Sequence, residues 1–298
     1  MKLEKPINIL VQRRAAIGDV IMATGVVREL KKHYGEDAQI DIATDFAEPF
    51  RNNPHIRNIF PVQQIPTVQD RWEIYLNLDD SYEYNPTEHY VDNYFYRAFG
   101  AEHEMNQSVE LFPSNDDRDI VDQDLKEIGD KFIVVHMRNW HWPAKNISMD
   151  TWLEAFGIAF EARADFKIVC VGGSTDNYVD HPLFFDARAK YNSQQIKYLC
   201  DHASAFVGID SGPYWCAAAS NTHIIALLTH LKPERILPHR CWQRGHNTTV
   251  VQTREDCRGC NDIQQRPVRQ LACSKGDYRC SSNLDANEIA QAILEQLE

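Results

Sequence analysis

The chain has 298 residues, 43% hydrophobic and 25% charged, with a formal net charge of −12. That length suits one large or two ordinary globular domains; no apolar run approaches the roughly 18–20 residues of a membrane span, and Met1–Leu10 lacks the apolar core and small-residue cleavage site of a signal peptide. With 13 Gly, 13 Pro and neither heptads nor low-complexity tracts, the composition excludes collagen, coiled coil and disorder and predicts a soluble, cytoplasmic globular protein.

Taken in chain order, short apolar runs predict strands at Ile7–Val11, Gln39–Ala43, Ile56–Val62, Glu73–Leu78, Phe132–Met137, Phe166–Val171, Ala205–Ile209, His223–Leu228 and Thr248–Gln252. Helical patterns fall between them at Val20–His33, His89–Phe99, Met149–Glu161, Ser193–His202 and Tyr214–Ser220. Several runs are apolar without alternation, as parallel strands covered on both faces are, so the pattern argues an α/β protein with parallel sheets. The polar run Pro113–Asp119 precedes a helix-like stretch to Gly129 and reads as an interdomain linker. It divides the chain into domains 1–115 and 116–284. Residues 285–298 then form an amphipathic closing helix with Asp285 as its N-cap.

Charge is uneven along this frame. Fifteen acidic residues face three arginines between Asp70 and Asp124, whereas Arg240–Cys280 carries eight basic residues against four acidic ones. An acidic protein is a poor general nucleic-acid binder, because affinity for phosphate backbones needs clustered Lys and Arg. The basic segment leaves a small anionic ligand open.

Three segments could carry chemistry, each at the end of a predicted strand. In the first, Arg13–Val20, Gly18 permits close backbone approach by a ligand, and Asp19 is either a helix cap or a reactive carboxylate at the sheet edge. The second, Val207–Trp215, ends a buried strand at Asp210 and turns through Ser211 and Gly212 into a helix with Pro213 in its first turn. Its backbone NH groups could cradle a phosphate, or the segment is simply a strand–turn–helix connection. The third, His136–Trp152, holds Arg138, Lys145 and three tryptophans; the two cations suit a diphosphate, and their alternative is a solvated surface.

In this order the three segments resemble glycosyltransferase family 9, whose best-known members are lipopolysaccharide heptosyltransferases. The resemblance rests on "RRAAIGDVIMATGVVRELKKHYGEDAQIDIAT", "KNISMDTW" and "AFVGIDSGPYWCAAASNTHIIALL". It implies the GT-B fold, two Rossmann-like domains facing a cleft, with the acceptor on the N-terminal side and a nucleotide-diphospho-sugar on the C-terminal side. By the same resemblance Asp19 matches the catalytic carboxylate that deprotonates the acceptor hydroxyl in a single inverting displacement. Lys145 matches a lysine on the donor diphosphate, and Asp210, Ser211 and Gly212 match the donor-binding turn, with Arg138 beside them. No catalytic metal is implied. The implied donor is ADP-heptose and the implied acceptor a surface glycan, such as lipopolysaccharide core, or a protein. Membrane contact would be peripheral at most, and a homo-oligomer stays open. Where the family pattern usually has His, five residues after the Asp of the turn, this chain has Trp215, a bulky indole with only a donor NH. That departure leaves two alternatives, a different nucleotide-sugar donor or a degenerate nucleotide-sugar-binding protein.

Eight cysteines remain. Cys170, Cys200, Cys216 and Cys241 read as small buried hydrophobes. The others cluster as Cys257-x2-Cys260-x12-Cys273-x6-Cys280 within a loop-like finger, 254–283, a spacing suited to a tetrahedral thiolate site for structural zinc or iron, with two disulfides as the alternative. The family resemblance adds that some members carry a C-terminal cysteine finger, and that one subgroup acting on proteins binds iron there. His239 and His246 lie upstream as surface or cleft residues, with no spacing that demands ligation.

Overall fold

A computed structural model describes the chain apart from residues 1–5, 68–70, 84, 86–87, 101–103, 261–272 and 274, so the middle of the cysteine-rich finger lies outside the described residues. The first lobe runs β1 (Asn8–Gln12), α1 (Ile17–Met22), α2 (Thr24–Tyr34), β2 (Gln39–Ala43), β3 (Asn58–Phe60), β4 (Ile74–Asn77) and α3 (Tyr90–Phe99), and α4 (Asn115–Ile128) leads into the second. The second follows as β5 (Phe132–His136), α5 (Met149–Ala162), β6 (Lys167–Cys170), β7 (Phe184–Asp186), α6 (Ser193–His202), β8 (Ala205–Gly208), α7 (Gly212–Ala218), β9 (His223–Leu228), α8 (Pro233–Ile236), β10 (His239–Arg240), β11 (Gln243–Arg244), β12 (Thr248–Gln252) and α9 (Ala286–Glu295), with α4 packed on α6.

Two parallel sheets result, ordered β3-β2-β1-β4 and β12-β9-β8-β5-β6-β7, with β10 and β11 as a separate antiparallel pair. In the first sheet β1 pairs with β2 on one side and β4 on the other. In the second, β5 pairs with β8 and β6. Both are points where the strand order reverses, and in open parallel sheets the crevice beyond such strand ends is where ligands bind. β5 and β8 are buried along their whole length, which is why they read as unbroken apolar runs.

One apolar core extends from Val20 and Ile21 of α1 to Tyr214 and Trp215 of α7, crossing between the lobes. A second, beneath the other face of the larger sheet, packs Trp152 and Phe156 of α5 against Ile289 and Ile293 of α9. Asp285 caps α9 as the sequence predicts, accepting from Asn287 N at 2.9 Å.

Within the polar run Pro113–Asp119, Ser114 is the N-cap of α4, its Oγ accepting from Asp117 N at 3.1 Å while Asp117 accepts in return from Ser114 N at 3.0 Å. The acidic residues of that run open the helix, where the dipole favours them. The single helix expected at Val20–His33 is two, because the Thr24 hydroxyl donates to Ile21 O at 2.7 Å and accepts from Glu110 N at 2.9 Å, tying the break to a crossing segment. At Gly25 a Cβ would lie 2.8 Å from Ser108 O, so that crossing requires glycine.

Candidate active site

The ends of β1, β5 and β8 border one cavity of about 490 Å³ between the lobes, a size suited to a small-molecule ligand. From the first lobe come the turn 16–19, Phe46 and Tyr82; from the second come His136, Arg138, Lys145, the turn 210–213 and Asp176.

Asp19 is the third residue of α1, where its carboxylate caps the helix and also faces the cavity. Its Oδ2 accepts from Ala16 N at 2.6 Å, which caps the helix, while the side chain stays 15% exposed at the cavity wall. Its Oδ1 accepts from Tyr82 Oη at 2.6 Å and meets Arg13 at 3.0 Å. Arg13 is 2% exposed, donates to Glu83 at 2.9 Å and stacks near Tyr82 and Tyr94. Burial works against its charge, but Tyr94, Asp19 and Glu83 outweigh it and hold the guanidinium ionised. Burial, reinforced by the Asp19 charge, pushes the Tyr82 phenol well above its ordinary range, so it remains a donor.

On the opposite wall Lys145 Nζ lies 2.5 Å from Asp210 Oδ2, and Trp215 Nε1 donates to Asp210 Oδ1 at 3.1 Å. Burial would raise the Asp210 carboxyl, yet Lys145, Arg138 and the indole NH together hold it below the usual range. Arg138 donates to Asp210 O at 3.3 Å and lies over the exposed ring of Trp140. Burial pulls its guanidinium down against the opposing charges of Asp210 and Asp176.

The phosphate-cradling turn is built differently from the sequence expectation. Helix α7 has seven residues; Tyr214 N donates to Ser211 Oγ at 3.4 Å, Trp215 N to Ser211 O at 3.2 Å, and Pro213 has no NH. Few backbone donors are left for an anion. The two glycines serve the lobe contact instead. A Cβ on Gly212 would come 2.5 Å from Ile17 Cγ2, and one on Gly18 would come 3.0 Å from Trp215 Cδ1. Trp215 itself is 1% exposed, with its NH spent on Asp210, so it forms the floor between the lobes.

Sequence reasoning missed a polar relay on this wall. His136, ending β5, has Nδ1 2.9 Å from Ser211 Oγ and Nε2 3.0 Å from Asp176 Oδ2. Asp176 is fixed in turn by Gly173 N at 2.7 Å and Asn139 N at 2.8 Å. Although burial opposes it, the His136 bond draws the Asp176 carboxyl below its ordinary range. The available signals were a polar residue closing a buried strand and the Gly172-Gly173 pair directly after β6.

All eight cysteines are free thiols, and Cys241 is exposed, against expectation, where the chain turns between β10 and β11. Cys257, Cys260, Cys273 and Cys280 line one cavity of about 20 Å³ together with Trp142, Ala144 and His230. Tyr278 N donates to Cys273 Sγ at 3.4 Å; burial opposes ionisation there, but this and neighbouring turn NH groups draw the thiol down. Cys280 is pushed up to about 12 by burial and by the other three sulfurs. Burial and the Lys145 charge lower His230 to about 3, so it is neutral.

Among the described residues, the His, Cys, Asp and Glu donor atoms found within 4.8 Å of one another are those of His89, Asp92 and His239. They form an interlobe latch. His89 Nε2 meets Leu237 O at 2.8 Å and its Nδ1 accepts from Val91 N at 3.2 Å, while Asp92 takes Arg244 at 2.5 Å and His239 at 3.0 Å. His239 is therefore a partly buried contact residue between the lobes.

The model of "Glycosyltransferase family 9 (heptosyltransferase)" matches residues 73–267. Curated protein sequences yield no match. Among solved structures, the glycosyl transferase family 9 from Veillonella parvula DSM 2008 is similar at a TM-score of 0.75 and 15% identity, covering 100% of this chain and 98% of that one. E. coli ADP-heptose lps heptosyltransferase II gives 0.69 and 15%, covering 97% and 99%. The bacterial iron-containing dodecameric glycosyltransferase TibC from enterotoxigenic E. coli H10407 gives 0.70 and 14%, covering 100% and 80%. The two lobes are thus those of the GT-B fold.

Proposed function

The chain belongs to glycosyltransferase family 9, and from that premise we propose that it transfers heptose from ADP-heptose, with inversion and without a catalytic metal, to a hydroxyl of a surface glycan or a protein. The observation that carries this reading is the facing of Asp19 on one lobe by Lys145, Arg138 and Ser211 on the other, around one cavity. In the proposed reaction the acceptor oxygen forms the new bond to the anomeric carbon as its proton passes to Asp19. The bond from that carbon to the diphosphate breaks, and its electron pair leaves with the nucleotide. Lys145 and Arg138 supply the positive charge the leaving diphosphate requires, and the Ser211 hydroxyl, bonded to His136, lies on the same wall.

We read residues 1–115 as the acceptor side and 116–284 as the donor side, with 285–298 as a closing helix. The solved structure of TibC is titled as containing iron. The four cysteine thiols and the turn NH groups on Cys273 have the chemistry of a thiolate metal site, so Cys257, Cys260, Cys273 and Cys280 would hold structural zinc or iron here. Such a metal supplies folding free energy to a segment too polar to build its own core. A cytoplasmic location is part of this proposal; among the described residues no helix is long and apolar enough to cross a membrane.

The test uses purified protein, ADP-heptose and a panel of nucleoside diphosphates. ADP at about 100 times its dissociation constant should stabilise the fold by about 2.7 kcal/mol. Asp19→Asn should abolish transfer while ADP affinity holds, and Lys145→Ala should weaken ADP. Transfer by Asp19→Asn at the wild-type rate would overturn the base assignment; stabilisation by another nucleotide in place of ADP would replace the donor.

A further inference from the structure

Behind the Asp19 wall of the cleft lies a second carboxylate that the sequence motifs do not mark. Arg13 Nη2 donates to Glu83 Oε1 at 2.9 Å and stands 3.0 Å from Asp19 Oδ1, so one guanidinium nitrogen is shared between two carboxylates. The other terminal nitrogen, Nη1, is tied to the fold by a bond of 3.2 Å to Leu78 O. Glu83 is 7% exposed and does not border the cavity, which its neighbour Tyr82 lines.

Stability alone is a poor reason to keep this group. Burying a carboxylate is costly, and a buried ion pair is often no more stable than apolar side chains of the same volume. Glu83 Oε2, Arg13 Nε and Tyr94 Oη are also buried without a hydrogen-bond partner among the described residues. A buried charge with unmet hydrogen bonds calls for another reason, and a reacting group beside it is one. Here that group is Asp19. A cation 3.0 Å away fixes the Asp19 carboxylate, but it also stabilises the negative charge and so weakens the pull on a proton. A general base needs the first effect without too much of the second.

We propose that Glu83 is a positioning residue for the transfer step: it draws part of the Arg13 charge away from Asp19, so that Asp19 is held by Arg13 yet still accepts the proton of the acceptor hydroxyl. This rests on the reading of Asp19 as the base. The proton ends on Asp19, and neither Arg13 nor Glu83 gains or loses one in the step. Tyr82 and Tyr94, phenols pushed well above their ordinary range by burial, stay protonated beside the pair. Asp79 lies 4.0 Å from Arg13 Nη1, and Tyr90 stacks on Tyr82 at 4.0 Å. Across the cavity stand Lys145, Arg138, Asp210, Asp176 and His136. Burial, against the pull of Arg13, lifts the Glu83 carboxyl, so it protonates earlier than an ordinary glutamate as pH falls. Once it does, the counter-charge is lost and transfer slows.

The test follows release of ADP from ADP-heptose by the full-length protein, with water and added glycerol as accepting hydroxyls. Glu83→Gln should lower kcat at neutral pH about ten-fold and leave ADP affinity unchanged. The acid limb of its pH–rate profile should move to lower pH, because the carboxyl that protonates first is gone. Should the glutamine variant fail to fold, Glu83→Asp, which keeps a charge on a shorter arm, decides in its place by a smaller loss and a smaller movement in the same sense. An acid limb that stays where wild type has it, or ADP affinity lost in step with kcat, would overturn the role of Glu83 while an inactive Asp19→Asn spares the base. Asp19→Asn releasing ADP at the wild-type rate would overturn both, as would wild type that releases none.

Discussion

Lys145 and Asp210 are each 11% exposed and sit 2.5 Å apart, so before a ligand arrives each neutralises the other. A diphosphate entering the cavity competes for a lysine that already has a partner. Discrimination therefore depends on what else meets the phosphate, and the structure offers Arg138 and the Ser211 hydroxyl. Ser211 is not an independent donor: Tyr214 N occupies one side of its oxygen and His136 the other. If the serine and the histidine act as one unit, the effects of His136→Ala and Ser211→Ala on ADP affinity will not add. Calorimetry on the two single variants and the double should give a coupling of about 1 kcal/mol, and strict additivity would show that Ser211 binds alone. The relay was not legible in the sequence because its third member, Asp176, arrives on the loop after β6, forty residues from His136. Asp19, Lys145 and Asp210 were legible because each ends or follows a strand in a recurring motif. At Gly18 and Gly212 the sequence marks a close approach but not that a side chain from the other lobe makes one.

At the scale of elements, that close approach is the contact of α1 with α7. Ile17 enters the space a Cβ on Gly212 would need, and Trp215 fills the space before Gly18, so the two strand–helix turns interlock across the cleft floor. Gly212→Ala should push Ile17 away and cost about 1–3 kcal/mol of stability. Ile17→Ala removes the clashing methyl and leaves the Ile17 Cβ position 3.9 Å away, an ordinary contact. The double variant should thus recover much of the loss measured against Ile17→Ala by urea unfolding; equal costs of Gly212→Ala in both backgrounds would show that the contact is not the constraint. The strands at Gln39–Ala43, His223–Leu228 and Thr248–Gln252 were readable to the residue, since buried runs bounded by polar turns have no competing pattern. β7 escaped because it is a three-residue sheet edge, and β10 and β11 because two residues carry no periodicity. The break between α1 and α2 escaped because Glu110, which stabilises it, is distant in sequence.

Across the whole molecule, part of the acidic stretch is an internal counter-charge. Glu83 faces Arg13, Glu110 faces Arg28, Asp124 faces Lys190, and Asp92 faces Arg244 from the basic C-terminal segment. The last of these pairs joins the lobes, as does Glu48, whose carboxylate accepts from Ser193 N and Gln194 N at the start of α6. Part of the asymmetry visible in the sequence therefore goes into internal pairs, one of which holds the lobes together. This arrangement carries a pH dependence at the latch. His89 is fully buried between Val91 N and Leu237 O, and burial, aided by the nearby His239 and Arg244, lowers it to about 4 despite Asp92. The unfolded chain takes up that proton near the ordinary histidine value of about 6.5, so between about pH 6.5 and 4 the unfolded state binds more protons and stability falls as pH falls. Asp92, held low by His239 and His89 against the cost of burial, contributes stability above its ordinary range and loses it only in stronger acid, so the two windows separate. Between pH 6.5 and 4.5 the His89 contribution is about 2 kcal/mol. His89→Asn keeps a good N-cap for α3 and removes the titrating ring, so urea unfolding of this variant should lose that part of the slope. A slope equal to wild type would assign the acid sensitivity to groups other than the latch.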